Sequence, residues 1–382
     1  MRIIHISDLH IGKKVNEFSM LEEQKQILSR IVEISVEKKA QVMIIAGDVY
    51  DRTIPPVEAV EIFDDFLTKL VKINIKVMVI AGNHDSSERL SFANRLIENA
   101  GVYIEGEYKG NVKKVTLKDT YGNINFFMVP YIKPSNVRQY FDEEIASYDD
   151  AFRCIIGNTD INKKERNIII AHQFFTGSGN EVERCDSETI TVGGLDNIDV
   201  SVLNDFDYGA LGHIHGPQKL TKENIRYSGT PLKYSFSEKH HKKSLVFIDA
   251  KEKGNIKTEL VLLQPNNDLK EIKGKLEEVL DTNNFTDINK DDYLSVILTD
   301  DEIMADAYGK LSVRFNRVMQ VHYDNIKSLR NENAKMSVSG DIETMTDLEL
   351  FNQFYKNQMN VDMDDERIEL VKEVIKKVGG RV

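Results

Sequence analysis

The chain has 382 residues, 41% of them hydrophobic and 29% charged, with a formal net charge of −12. That length exceeds what one hydrophobic core normally serves, so at least two domains are expected. The acidity argues against a protein that grips nucleic acid through a broadly basic surface, so any DNA contact must be local. No apolar stretch approaches the ~20 residues of a membrane span, and Met1 to Ile6 runs straight into a strand without a secretory leader, which predicts a cytoplasmic protein with no membrane contact. The two cysteines, Cys154 and Cys185, have no CxxC spacing, so neither a disulfide framework nor a zinc ribbon is expected.

In chain order, strand-like runs alternate with amphipathic helices, the pattern of a layered α/β architecture. Arg2 to Ser7, Val42 to Ala46 and Val77 to Ala81 read as strands. Between them, Leu21, Ile27, Leu28, Ile31 and Val32 form one helical stripe, and Val57, Val60, Phe63, Leu67, Leu70 and Val71 form another, opened by Pro55-Pro56. Shorter strands are predicted at Phe126 to Pro130, Ile168 to Ala171, Asp207 to Leu211, Ile225 to Ser228 and Leu245 to Asp249. The expected core is a two-sheet sandwich flanked by helices over residues 1–265. A small α/β unit follows at 266–327, built from a helix at Leu269 to Leu280, a strand at Tyr293 to Leu298 and a helix at Met304 to Phe315. Residues 328–345 have the polar composition of a linker, and 346–382 read as two amphipathic helices. The first opens at Thr346-Asp347-Leu348-Glu349 and carries Leu348, Phe351, Phe354 and Tyr355; the second opens near Asp364 and carries Ile368, Val371, Val374 and Ile375. Two such helices bury little by themselves, so either they fold back on the core or a partner covers them.

Five short clusters each follow an apolar strand: Asp8-Leu9-His10, Gly47-Asp48-Val49-Tyr50-Asp51, Gly82-Asn83-His84-Asp85, Ala171-His172 and Gly212-His213-Ile214-His215. Five of the nine histidines fall inside them. Ligands gather at strand ends in such folds because the sheet fixes the loop bases, and five clusters at equivalent ends are hard to explain as capped turns. Asp8 and His10, like His213 and His215, lie two apart in what is expected to be nearly extended chain, which would point each pair one way. Oxygen and imidazole donors without thiolate suit two divalent ions, Mn²⁺ foremost, with Fe, Co or Zn as alternatives. Two such ions bring +4 and Asp8 with Asp48 return −2, leaving about +2 to attract a phosphodiester despite the acidic total. His84 is the candidate to protonate the leaving oxygen. Asp85 either serves this site or opens a capping box at Asp85-Ser86-Ser87-Glu88, for a helix running toward Asn99. Asp51 either orients a histidine or caps the turn before Pro55. Lys13 and Lys14, and the run from Lys239 to Lys243, are candidate phosphate contacts.

The motifs D-x-H, GDxxD, GNHD, H and GHxH, all intact here, resemble those of the calcineurin-like metallophosphoesterases. Within that family, Ile6-Ser7-Asp8-Leu9-His10-Ile11-Gly12-Lys13, Tyr227-Ser228-Gly229-Thr230-Pro231-Leu232 and Tyr234-Ser235-Phe236-Ser237-Glu238 resemble the bacterial SbcD-type nuclease subunits. The resemblance implies one metal on Asp8, His10, Asp48 and His215 and another on Asp48, Asn83, His172 and His213. It further implies a DNA-presenting capping role for the small α/β unit and docking of the two C-terminal helices on an SbcC-type ATPase. A homodimer through helices near 57–71 and 86–99 is also implied. Related archaeal and eukaryotic chains place histidine where this one has Asp51, which leaves that residue's role open. No Gly-x-x-x-x-Gly-Lys-[Ser/Thr] occurs, so ATP hydrolysis would come from a partner. A small-molecule phosphoesterase, a cyclic-nucleotide phosphodiesterase and a non-catalytic assembly protein are the competing readings on the same scaffold.

Overall fold

Near-continuous runs of Val, Ile, Met and Ala predict strands buried on both faces, and the chain builds two six-stranded sheets from them. The computed structural model describes residues 1–177, 182–188, 196–324, 346–359, 363 and 365–377. It divides into two compact units, Met1–Lys270 and Glu271–Val382.

In the first sheet the strands run in the order Ile256–Leu262, Ser244–Ala250, Arg2–Ile6, Val42–Ala46, Lys76–Ile80, Val102–Glu105. The last four are mutually parallel. The second sheet runs Gln218–Lys219, Ile225–Tyr227, Tyr208–Gly212, Arg166–His172, Gly122–Val129, Lys113–Asp119, with its central four strands parallel. One core lies between the sheets: Ile3, Ile44, Ala46, Met78 and Ile80 of the first meet Phe126, Met128, Ile168, Ile170 and Ala210 of the second. The alternate residues Phe127, Val129, Ile169, Ala171 and Leu211 face the other way, onto the Tyr148–Gly157 helix with its Phe152 and Ile155. On the first sheet, the Leu21–Glu37 and Val57–Lys72 helices pack against each other, and the latter also packs on Lys76–Ile80. The α/β sandwich flanked by helices is thus the predicted fold, and the parallel strands bring the clustered motifs to a common end of each sheet.

The second unit holds a three-stranded sheet, in the order Leu269–Gly274, Tyr293–Leu298, Arg317–Tyr323, and two helices, Leu276–Leu280 and Ala307–Arg314. The predicted helix from Leu269 to Leu280 is therefore corrected to a strand followed by a single helical turn and a half. Leu269, Ile272, Leu276 and Val279 are all buried, but Gly274 separates two elements that share that apolar spacing. Two further helices, Asp347–Met359 and Asp365–Lys377, pack on each other. The first opens on a reciprocal cap, where Glu349 N–H reaches Thr346 Oγ1 at 3.3 Å and Thr346 N–H reaches Glu349 Oε2 at 2.8 Å. Phe351 and Val374 are exposed and Ile375 is buried; Leu348, Tyr355, Ile368 and Val371 are half-buried. The predicted linker, Asp364 and the side chain of Phe354 lie outside the described residues. No described helix is long and apolar enough to cross a membrane.

Candidate metal centre

Each cluster begins where a strand stops. Ser7-Asp8 follows Arg2–Ile6, Gly47-Asp48 follows Val42–Ala46, Asn83 lies three residues past Lys76–Ile80, His172 is the last residue of Arg166–His172, and His213 follows Tyr208–Gly212. The backbone there is not extended. Asp8, His10, Asp48 and His213 have φ of 53°, 44°, 49° and 102°, a region that residues with a Cβ rarely occupy. Asp8 and His10 therefore converge through successive left-handed turns and not through strand alternation, which corrects the expected geometry. Hydrogen bonds from Asp8 N–H to Gly47 O (3.0 Å), His10 N–H to Asp48 O (3.0 Å) and Ile11 N–H to Val49 O (2.9 Å) hold these turns in place.

Glycine precedes Asp48, Asn83 and His213 for a steric reason. A Cβ on Gly82 would lie 2.7 Å from Asp48 Cγ, one on Gly47 2.6 Å from His172 Cγ, and one on Gly212 2.8 Å from His172 Nδ1. The candidate ligands Asp48 and His172 occupy the space that any other residue would need.

Donor atoms of Asp8, His10 and His215 lie within 4.8 Å of one another, as do those of Asp8, Asp48 and His172 and those of His10, Asp48 and His84. Asn83 Oδ1 completes the array, 3.1 Å from His172 Nε2 and 3.0 Å from His213 Nδ1. All seven predicted ligand positions are thus brought together, with Asp48 Oδ2 at 3.3 Å from His172 Nε2 and 3.7 Å from His10 Nε2. Strand ends of both sheets contribute, and two bonds tie them: His172 Nδ1–H donates to Ala46 O at 2.8 Å, and His213 N–H reaches Asp8 Oδ1 at 3.0 Å.

The donor set fits bound cations. Burial raises the Asp8 carboxyl to about 7, with His172 opposing and the neighbouring Asp48 adding to the rise. Burial would also raise Asp48, but His172, His10 and His84 outweigh it and hold that group ionised. Burial lowers His10 and His213 to about 3, and lowers His215 well below its ordinary value, so these imidazoles are neutral and keep a lone pair to give. Burial lowers His172 too, yet Asp48 and Asp8 lift it to about 9. His10 Nε2 and His215 Nε2 face each other at 3.2 Å, and two buried carboxylates share the same pocket. Divalent cations would relieve both strains.

His84 is half-buried beside the candidate ligands, with its ring 4.8 Å from that of His10. Its Nδ1–H donates to the backbone carbonyl of Asp51 at 3.0 Å, so Asp51 orients a histidine through its main chain. The Asp51 carboxylate instead takes Lys13 Nζ at 2.8 Å and stands 3.7 Å from His10 Nδ1. Lys13 is thereby engaged, whereas Lys14 is exposed. Asp85 is not a helix cap: Ser86 Oγ takes Arg89 N–H at 3.4 Å and caps Ser87–Leu90, which ends before a left-handed Ala93 starts Asn94–Ile97. Asp85 points inward and accepts from Val49, Tyr50 and Gly82 N–H at 3.1, 2.9 and 2.9 Å, joining the Asp48 loop to the Asn83 loop. The physical reason is that three loop amides need a buried acceptor and Ser86 is free to cap in its place.

Sequence reasoning missed Gln24, whose Nε2 donates to His10 O at 2.7 Å, and the roles of Ser187, Glu188, Glu238 and Lys243 around His215; Lys243, read as a phosphate contact, is instead buried against Glu238 and the His215 carbonyl. None sits in a ligand-like spacing, and only long-range packing brings them in. Cys185, Glu238 and His241 also cluster, but Glu238 is already held by Lys243 and Ser187.

A family profile described as Calcineurin-like phosphoesterase matches residues 1–217, and a second, described as Type 5 capsule protein repressor C-terminal domain, matches 265–359. The chain is 29% identical to the SbcD component of the nuclease SbcCD of Staphylococcus epidermidis, over 98% of each. A crystal structure of a dimetal phosphatase from Danio rerio covers 69% of this chain and 99% of its own at 12% identity, with a TM-score of 0.37, too distant to bear on this fold. With the first profile spanning more than half of its residues and the donor array at its strand ends, the chain belongs to the calcineurin-like phosphoesterase family, as a metal-dependent hydrolase of the SbcD type.

Proposed function

We propose that the chain is a Mn²⁺-dependent DNA nuclease, with both exonuclease and endonuclease action. In this reading it is the SbcD component of an ATP-dependent SbcCD-type complex that processes DNA ends and hairpins in replication, recombination and repair. The observation that carries the reading is the array of Asp8, His10, Asp48, His172 and His215, all buried, with half-buried Asn83 and His213, its donors oxygen and imidazole with no cysteine among them. Asp8, His10, Asp48 and His215 would hold one ion and Asp48, Asn83, His172 and His213 the other. When bound, these ions supply the positive charge that draws and polarises a phosphodiester and activates water. The chain's own part is to seat the phosphate, exclude bulk water and move a proton. His84, fixed through Nδ1, presents its other ring nitrogen to protonate the leaving oxygen. Asp85 and the Asp51 carbonyl keep its loop in place, and Lys14 is the exposed cation nearest the first cluster in sequence.

Several features favour the DNA-processing complex over a small-molecule phosphoesterase. The chain aligns along almost its whole length with a component of a nuclease. Residues 266–327 form the proposed capping domain, and in the C-terminal helices Phe351, Leu370 and Val374 are exposed, where the proposed SbcC-type ATPase would dock. Retention of every ligand and of His84 speaks against a non-catalytic role. A homodimer is supported by Val57, Phe92 and Leu96, which are 70%, 83% and 76% exposed. The proposed setting is cytoplasmic, on nucleoid DNA. The test is cleavage by the purified chain of defined linear and hairpin DNA against a phosphomonoester, with and without Mn²⁺. DNA cleavage that needs Mn²⁺ is expected, and phosphomonoester hydrolysis with intact DNA would overturn the reading. Deleting residues 346–382, or Phe351→Asp, should spare that cleavage and abolish co-purification with the ATPase.

A further inference from the structure

Every polar atom of His215 in the array has a partner. Its N–H donates to Glu188 Oε1 at 2.8 Å. Its carbonyl accepts from Lys243 Nζ at 2.9 Å and from Thr230 N–H at 3.1 Å. Its Nδ1 lies 2.7 Å from Ser187 Oγ, and its remaining polar atom, Nε2, faces His10. The same Ser187 oxygen lies 2.6 Å from Glu238 Oε1.

The proton count along this line has one solution. Glu238 is fully buried and forms an ion pair with Lys243, which is itself buried, and the carboxylate of that pair only accepts hydrogen bonds. Tyr234 N–H reaches the same Oε1 at 3.2 Å, and Lys243 Nζ also donates to Thr230 Oγ1 at 2.7 Å. The single hydroxyl proton of Ser187 must therefore go to Glu238, leaving its oxygen lone pair to accept from Nδ1–H of His215. That places the imidazole proton on Nδ1 and the lone pair on Nε2, toward Asp8 and His10. A carboxylate commonly sets a ligand histidine's tautomer by direct contact; here a serine hydroxyl stands between them.

We propose that Ser187 and Glu238 are positioning residues that hold His215, through this hydroxyl relay, in the tautomer and orientation a metal ligand requires. The inference rests on the reading of His215 as a ligand, and the experiment separates the two. Full-length wild type, Ser187→Ala, Ser187→Thr and His215→Ala are compared for Mn²⁺ affinity and stoichiometry by titration calorimetry, and for unfolding temperature in chelator. Ser187→Ala should bind Mn²⁺ about 10–100-fold more weakly at one position, with its metal-free unfolding temperature unchanged, and Ser187→Thr, which keeps the hydroxyl, should recover most of the affinity. If His215→Ala loses Mn²⁺ while Ser187→Ala binds it as wild type does, the relay is refuted and the ligand reading stands. If His215→Ala binds two ions with wild-type affinity, the ligand reading itself fails. A Ser187→Ala chain whose metal loss is matched by a lower metal-free unfolding temperature, or is not recovered by threonine, reduces the serine to a packing role and overturns the proposal.

Discussion

Gly82→Ala tests whether the glycines of the motifs exist to make room for ligands. Gly82 has no left-handed backbone to protect, so the substitution acts through volume alone. The new Cβ would sit 2.7 Å from Asp48 Cγ and closer still to that carboxylate's Oδ1 and to the Asp48 backbone nitrogen. Ordinary contact begins near 3.4 Å, so the carboxylate carbon must retreat by about 0.7 Å or more, and overpacking of this kind costs about 1–3 kcal/mol. Asp48 cannot yield in isolation, because its Oδ1 accepts His84 N–H at 2.9 Å and its loop hangs on Asp85 together with Gly82 N–H. A misplacement of about 1 Å can cost ~10²-fold in rate, and the proposed bridging role of Asp48 exposes both metal positions to the shift. Metal content and the rate on a chromogenic phosphodiester should be measured together, with unfolding midpoint as the stability readout. The expected chain is folded, destabilised by about 1–3 kcal/mol, short of metal and about 10²-fold slower. Two ions per chain with a rate within threefold of wild type would refute the reasoning, because the collision at Asp48 would then have no consequence.

His84→Ala should keep both ions and lose about 10²–10⁴-fold in rate; metal analysis beside single-turnover cleavage checks this, and lost metal would move His84 into the ligand set. In chelator, His172, raised to about 9 from 6.5, contributes stability that is present below pH 6.5 and lost as pH rises through 9. Asp8, raised to about 7 from 3.8, makes stability fall as pH rises from 3.8 to 7. Above pH 6.5, where His10, His213 and His215 are neutral in the folded and unfolded chain alike, urea midpoints of the metal-free chain should therefore decline toward pH 9, while Mn²⁺ affinity rises over the same range because loading displaces the His172 proton; flat profiles in that window would contradict both. Gly157→Ala, at the end of the Tyr148–Gly157 helix with nothing within 4 Å of the new Cβ, should stabilise the chain by about 0.4–1 kcal/mol and leave cleavage untouched, as equilibrium unfolding will show.

The strands that carry the site were legible because they are apolar runs ended by charge. Val42–Ala46 and Tyr293–Leu298 follow their apolar limits to the residue, and Arg2–Ile6 and Lys76–Ile80 shift by one. The strand at Leu269–Gly274 was not legible: its buried Leu269 and Ile272 are three apart, a helical interval, and pairing with Tyr293–Leu298 overrides it. Within the site, residue types and strand-end positions pointed to the donor array, whereas its backbone did not show itself. Left-handed Asp8, His10 and Asp48 follow no local rule, since aspartate and histidine are only modestly tolerant of that region. Asp85 misled because Asp-x-x-Glu is a good cap pattern, and the three amides that claim its carboxylate come from two loops about 30 residues apart in the chain, near Val49 and Gly82. Ser187 carried no signal, and Glu238, though it ends one of the family-like motifs, gave no sign of its link to His215, because folding alone joins them.

These features bear on how the centre is assembled. Each non-glycine residue held in a sparsely populated region costs about 1–3 kcal/mol, and four of them lie among the seven donors. The chain tolerates them because cross-loop bonds leave no alternative: Asp8 is fixed by Gly47 O, His10 by Asp48 O, and Asp48 by the amide of His84. The bonds from His172 to Ala46 and from His213 to Asp8 cross from one sheet to the other. Neither half of the sandwich can therefore present a complete donor set, and the array forms only after the sheets have closed over Ile44, Met78, Phe126 and Ile170. Cations that bind the closed form alone must then stabilise the whole sandwich by mass action, relieving first the cost of burying the Asp8 carboxylate and then its repulsion with Asp48. Metal loading and the integrity of the two-sheet core are in this way one equilibrium.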